Sequence, residues 1–216
     1  MHESYLDTPF RKPAPADYPI HEALRQRWSP RAFSRDDVAV TELHQLFEAL
    51  RWSPSAFNEQ PWSFLVGLRQ QPEEFGRLLG CLTPGNQAWA KDAAGLFVTV
   101  ARRDWVAKPQ PNRTAQYDLG QAVANFTFQA TTLGLIVHQM AGIDLERVRV
   151  IGAIPEGYNP VTAVAFGRPG DPAQLPEDVR KKDATPRLRK RLPDFVFGAT
   201  WGRTASWLEQ RDPSDA

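Results

Sequence analysis

The residues best suited to chemistry fall in two short stretches. Arg27-Trp28-Ser29-Pro30-Arg31 puts two guanidiniums and a hydroxyl within five residues, on a turn stiffened by proline. Arginine's planar fork matches phosphate oxygens two at a time, so this group suits a phosphate cradle. A solvated helix end is the other reading, since the helix dipole favours cations there in any case. The second stretch is Arg51-Trp-Ser-Pro-Ser-Ala-Phe-Asn-Glu-Gln-Pro-Trp62. Pro54 and Pro61 bracket it and push the preceding Ser53 and Gln60 toward extended backbone. Between them Ser55, Ala56, Asn58 and Gln60 are small or amide-bearing. A rigid loop with projecting donors and acceptors suits the edge of a flat heterocycle; an ordinary proline-rich loop has the same composition. Later, Arg187, Arg189, Lys190 and Arg191 form another basic cluster. Such runs are usually solvated, and a phosphate role is the alternative.

Protein-only catalytic sets are missing. His2, His21, His44 and His138 show no metal-ligand spacing, so no metal is expected, and the single Cys81 excludes an intrachain disulfide. No Gly-x-Ser-x-Gly, Walker-type or Gly-rich dinucleotide motif occurs. His138, beside an apolar segment, reads as a packed histidine rather than an acid or base. An enzyme built this way borrows its chemistry from a cofactor. The formal net charge of +1 gives no global pull toward nucleic acid or an anionic membrane. The strongest apolar run, Ala93 to Ala101, is far below the roughly 18 residues of a spanning helix. Residues 1–19 read as an extended arm without an apolar signal core, and the chain is expected to be cytoplasmic.

Hydrophobic periodicity supplies the elements that position these residues. Helices are expected at Ile20–Trp28, Val40–Trp52 with Thr41 as N-cap, Pro72–Leu82, Ala115–Leu135 and Leu145–Ile151. Strands are expected at Trp62–Leu68, Gly95–Ala101, Leu135–Met140 and Val161–Gly167. Thr83-Pro84-Gly85-Asn86 reads as a turn and Arg102–Thr114 as a mobile loop or lid. The long helix has two apolar sides, one including Leu119, Ala122, Val123 and Phe126 and another including Tyr117, Ala124 and Phe128. It is therefore central or lies in an interface. Gly170–Pro193 is charged and proline-broken, and Phe195–Phe197 suggests a further strand. The alternation lacks a regular β-α-β rhythm, which predicts an α+β fold with one mixed sheet. One domain is expected over 20–216.

Taken in order, these segments resemble the nitroreductase family of FMN-dependent oxidoreductases, from about Pro19 to Arg203. Arg27 to Arg31 is similar to the family's Arg-x-Ser-x-Arg opening. Arg51 to Ser55 with Asn58, Gln60, Pro61 and Trp62 is similar to its proline-bracketed element. Asn86, Tyr117-Asp118-Leu119-Gly120, the turn at Gln139-Met140-Ala141-Gly142, and Arg189-Lys190-Arg191-Leu192-Pro193 follow in family order.

The resemblance implies a homodimer with FMN at the interface, a nitroreductase-like mixed sheet flanked by helices, and a C-terminal extension embracing the partner subunit. It implies Arg27, Trp28, Ser29 and Arg31 on the phosphate and ribityl side, with Arg31 reaching N1 and the C2 carbonyl and so tuning the ring. Arg189 and Arg191 would close on the phosphate. Pro54, Ser55, Ala56 and Asn58 would edge the ring from the second subunit, with Asn86 opposite. Gln139, Met140, Ala141 and Gly142 would flank the ring, the Ala141-Gly142 backbone donating to N5. NAD(P)H would reduce the flavin and a nitroaromatic, quinone or related small acceptor would reoxidise it, in ping-pong order, with no protein side chain obligatory for catalysis. A flavin store, or an oxidase or dehalogenase on the same scaffold, is the alternative. Ala141 stands where some relatives are acidic, and Trp89 where some carry a lysine.

Overall fold

The computed structural model describes residues 12–108 and 110–208; part of the expected N-terminal arm, residues 1–11, lies outside them. The chain divides into two compact units, Met1–Ala184 and Thr185–Ala216.

Among the described residues the first unit is built on four strands, β1 (Trp62–Leu68), β2 (Gly95–Arg102), β3 (Ile136–Met140) and β4 (Tyr158–Gly167), in the order β1-β2-β4-β3. The α+β expectation holds, but every pairing is antiparallel rather than mixed among the described residues. The excursions from β1 to β2 and from β3 to β4 reverse the chain, while the one from β2 to β3 restores its direction and β4 inserts between those two; such pairing of sequence-distant strands leaves no local trace in composition. A strand of period two sends alternate residues to opposite faces. In β2 this sends Leu96, Val98 and Val100 to one core and Phe97 to another.

Among the described residues seven α-helices cover the two faces: α1 (Glu22–Gln26), α2 (Val40–Arg51), α3 (Pro72–Leu79), α4 (Pro84–Ala90), α5 (Ala115–Thr132), α6 (Leu145–Ile151) and α7 (Glu177–Ala184). Leu46 and Leu50 of α2 and Ala122, Val123, Phe126 and Ala130 of α5 pack with Phe97, Val137, Val164 and Phe166. The other core joins Phe75 and Leu78 of α3, Trp89 and Ala90 of α4, Val148 of α6 and Val179 of α7. Close-packed rings dominate the α2–α5 side, with Phe97 and Phe126 centroids 4.9 Å apart and Phe126 and Phe166 5.4 Å apart.

Two expected local features differ. The Thr83–Asn86 turn is the start of α4, because Pro84 at the first helical position has no N–H to satisfy and its fixed φ suits a helix. Thr41 does not cap α2. The cap is Ala39, whose N–H donates to the Glu42 carboxylate at 2.9 Å. In the second unit the expected strand at Phe195–Phe197 is reduced to an isolated bridge from Phe197 to Thr204. Phe197 there packs against Trp201, ring centroids 5.1 Å apart.

Candidate functional site

The Arg27–Arg31 turn is carried by α1 and docked onto the sheet. Residues 136, 138 and 140 of β3 share one face, which turns His138 toward α4. Its Nδ1 lies 3.1 Å from the Pro30 carbonyl oxygen. Burial, and then the Arg31 guanidinium, push its pKa below the ordinary histidine value. A ring held neutral against a carbonyl in this way fits the packed-histidine reading. Trp89 of α4 is the hub, its centroid 4.6 Å from that of His138 and 6.2 Å from that of Phe33, with Arg31 6.0 Å above its ring.

Arg31 is not a free cation. Its backbone N–H donates to Asp183 Oδ2 at 2.8 Å and its guanidinium to Asp183 Oδ1. Arg27 Nη1 donates to the Ser29 hydroxyl at 3.3 Å. The indole N–H of Trp28 is buried and has no acceptor among the described residues.

At the end of β3 both peptides flanking Gly142 are held, the first by the Ile143 N–H donating to the Ala141 carbonyl at 3.0 Å, the second by bonds to the Gly142 carbonyl. The Gly142 carbonyl accepts from the Asn86 side-chain amide and from the Thr83 backbone N–H, both at 3.0 Å. The Gly142 N–H donates to no acceptor among the described residues. A Cβ at this glycine would meet Asn86 Nδ2 at 2.6 Å and Thr83 Oγ1 at 2.9 Å, so only glycine fits without displacing the clamp. Of the neighbouring expected residues, Ala141 is exposed and Met140 is buried in the core. Gln139 turns to the other face of the sheet, toward Thr127 of α5 at 3.4 Å.

The proline loop is anchored elsewhere, on α5. Asp118 and Asn125, seven residues and about two turns apart, share a helix face. Asp118, buried, accepts from the Ala56 N–H at 3.2 Å, and Asn125 donates to the Ser53 hydroxyl at 2.7 Å. At the far end Glu59 holds Arg102 at 2.5 Å and accepts from the Val106 N–H at 3.1 Å. Within Arg102–Thr114, expected to be a mobile loop or lid, Asp104 bridges to Pro111. Between the anchors Phe57, Asn58 and Gln60 take φ values of 53°, 56° and 46°. Gln60 therefore escapes the extended backbone expected before Pro61. Its N–H is held by the Ser55 hydroxyl at 3.0 Å and its side-chain amide by Asn58. Left-handed backbone costs a non-glycine residue about 1–2 kcal/mol, and the side chain of Phe57 projects into solvent against Trp105 at 5.7 Å.

Arg189 and Arg191 belong to the second unit. Arg191 lies 3.6 Å from Asp194, and Arg189 donates to the Leu188 carbonyl at 2.7 Å. Asp118 enters the sequence reading only as part of the motif opening α5 and Trp89 only as a departure from relatives, and Asp183 does not enter it, yet all three organise the first unit. A lone aspartate inside the apolar stripe of α5 was the available signal for Asp118. Asp183 follows Arg180-Lys181-Lys182 and looks like one more solvated charge.

The family model described as the nitroreductase family matches residues 24–168. An uncharacterized 15.4 kDa protein of Mycolicibacterium smegmatis is 38% identical over 149 residues, covering 64% of this chain and 97% of that protein. Protein DrgA of Synechocystis is 29% identical over 201 residues, covering 81% of this chain and 90% of its own. Among solved structures, an oxidoreductase containing FMN superposes with a TM-score of 0.82 at 31% identity, over 88% of this chain and 96% of its own.

Proposed function

The chain belongs to the nitroreductase family, and from that premise we propose that it is an FMN-dependent oxidoreductase working as a homodimer. The carrying observation is the Gly142 peptide. The Ala141 carbonyl accepts from the Ile143 N–H at 3.0 Å, which holds the Ala141–Gly142 peptide and aims the Gly142 N–H in one direction, without an acceptor among the described residues, beside a glycine cradle. A preorganised donor of this kind stabilises charge that develops during a reaction, because it has no reorganisation left to do.

The residues fit FMN. Arg27 and the Ser29 hydroxyl supply phosphate and ribityl donors, the orphaned indole N–H of Trp28 adds an unused one, and Arg31 puts a cation on the same turn. The Gly142 N–H would face the ring, and the Asn86 oxygen stays available after its amide nitrogen has bonded Gly142. When bound, FMN would supply two-electron transfer from NAD(P)H to a nitroaromatic, quinone or related acceptor, in ping-pong order. The protein orients the ring, biases its charge through Arg31 and excludes water with Trp89 and its neighbours.

The second copy is argued from what one chain leaves uncovered. Tyr117 on the second side of α5 is 71% exposed, and the next residue, Asp118, holds Ala56 of the loop whose Phe57 is 91% exposed at positive φ. Pro54, Ser55, Ala56 and Asn58 would then edge the partner's flavin. Anaerobic addition of NADH or NADPH to the purified protein tests the redox reading. Bleaching of a flavin absorbance band, reversed by a nitroaromatic or quinone, supports it. A band that neither donor bleaches supports a flavin store instead.

A further inference from the structure

We propose that Asp183 is the counter-ion and positioning residue of Arg31, through which this chain sets the reduction potential of the flavin it binds. The proposal rests on the FMN reading above and assigns a role to a residue outside every motif that led to it. Asp183 sits at the end of α7, and its side chain is 7% exposed. Both carboxylate oxygens are spent on one residue, Oδ2 on the Arg31 backbone N–H at 2.8 Å and Oδ1 on the Arg31 guanidinium. The carbonyl of Asp183 accepts from Lys12 Nζ at 2.5 Å. The Trp89 ring centroid lies 6.0 Å from the same Arg31 guanidinium and 4.6 Å from the His138 ring.

An exposed ion pair here would carry little information, since such pairs contribute almost nothing to stability. This carboxylate is different because it is drawn inside, where an unpaired charge is costly and its partner is correspondingly fixed. Two consequences follow from Coulomb's law at close range. Arg31 is held in one place, and its positive charge is offset by a carboxylate in direct contact. A neighbouring group that gains negative charge on reduction is then stabilised less than a lone guanidinium would stabilise it. Asp183 therefore lowers the potential that Arg31 raises.

The test compares D183N, which keeps the shape and loses the charge, with D183E, which keeps the charge. In the FMN-loaded protein, potentiometric titration of D183N should show the affinity ratio of reduced to oxidised FMN rise about tenfold, equivalent to about 30 mV for a two-electron couple. D183E should stay near wild type. An unchanged potential in D183N with flavin bound overturns the proposal, and so does an equal shift in D183E, which would make the effect geometric. A flavin-free arm separates this proposal from the FMN reading. His138 is faced by Arg31, which lowers its pKa, and by Asp183, which raises it, alongside the Pro30 and Ser29 carbonyls. NMR titration of His138 in the flavin-free protein should therefore move lower in D183N. A shift there without any FMN binding overturns the FMN reading, and with it the potential-setting role, while leaving the clamp in place; no shift overturns the clamp itself.

Discussion

Trp89 and Phe57 are both large aromatics beside residues that the family resemblance singles out, yet Trp89 is 2% exposed and Phe57 91%. Around Trp89 the chain supplies the contacts itself: Phe33 and His138 against the ring, Arg31 above it, Asp183 behind the arginine. Around Phe57 the chain fixes the backbone at both ends and leaves the tip uncovered, at positive φ. One region is closed within a single chain, and the other leaves a large aromatic side chain in solvent. Strain persists where the surroundings impose it, and it clusters at functional contacts.

The largest effect should separate these two regions by stability. Trp89→Ala empties a core position and should cost about 3–5 kcal/mol in urea unfolding. Phe57→Ala should stay within about 0.5 kcal/mol for the fold, as an exposed side chain away from packing. Equal costs would erase the distinction. Next comes ligand capture. Arg27→Ala should weaken FMN binding by about 1.5–3 kcal/mol, the worth of a charge-assisted hydrogen bond, and leave riboflavin, which has no phosphate, almost unchanged in a fluorescence titration. Gly142→Ala should cost about 1–3 kcal/mol of stability through overpacking against Asn86 and Thr83. It should also weaken both flavins, since the clamp that aims the N–H is displaced.

Helices and strands were legible wherever periodicity was strong. Trp62–Leu68 and Leu145–Ile151 have the expected bounds, because alternation or a 3.6-residue stripe is interrupted at both ends by polar or breaking residues. What could not be read was pairing at a distance. The antiparallel register of β2 with β4, and the bond from Asp183 to Arg31 across 152 positions, depend on where the fold delivers each residue. Local rules also misjudged Gln60, where a hydroxyl and an amide outweigh the effect of the following proline. Asn86, expected to edge a ligand, also holds Gly142 with its amide nitrogen, a role visible only when α4 and the end of β3 meet.

The smallest expected effect concerns pH. The pKa of His138 in the folded chain lies below its ordinary value of 6.5, chiefly through burial. Above that value both folded and unfolded states hold it neutral, and it contributes nothing to pH dependence. As pH falls below 6.5, the unfolded chain takes up the proton while the folded ring resists, so stability declines until the folded ring also titrates. His138→Phe should flatten this part of a stability-versus-pH curve measured by urea unfolding. An unchanged slope would place the acid sensitivity on other groups.

The most direct test of the account asks whether the closed region of one chain works with the open loop of another. Gly142→Val breaks the cradle, and Asn58→Glu sets a carboxylate on the loop edge. Each variant alone should lack NAD(P)H-dependent acceptor reduction. Co-expressed with different tags and purified as the mixed pair, they should give one site carrying both lesions and one carrying neither. In a two-fold dimer this restores about half of the wild-type rate per dimer. A mixed pair as inactive as its parents, or the absence of any mixed pair, would contradict a site shared between two copies of this chain.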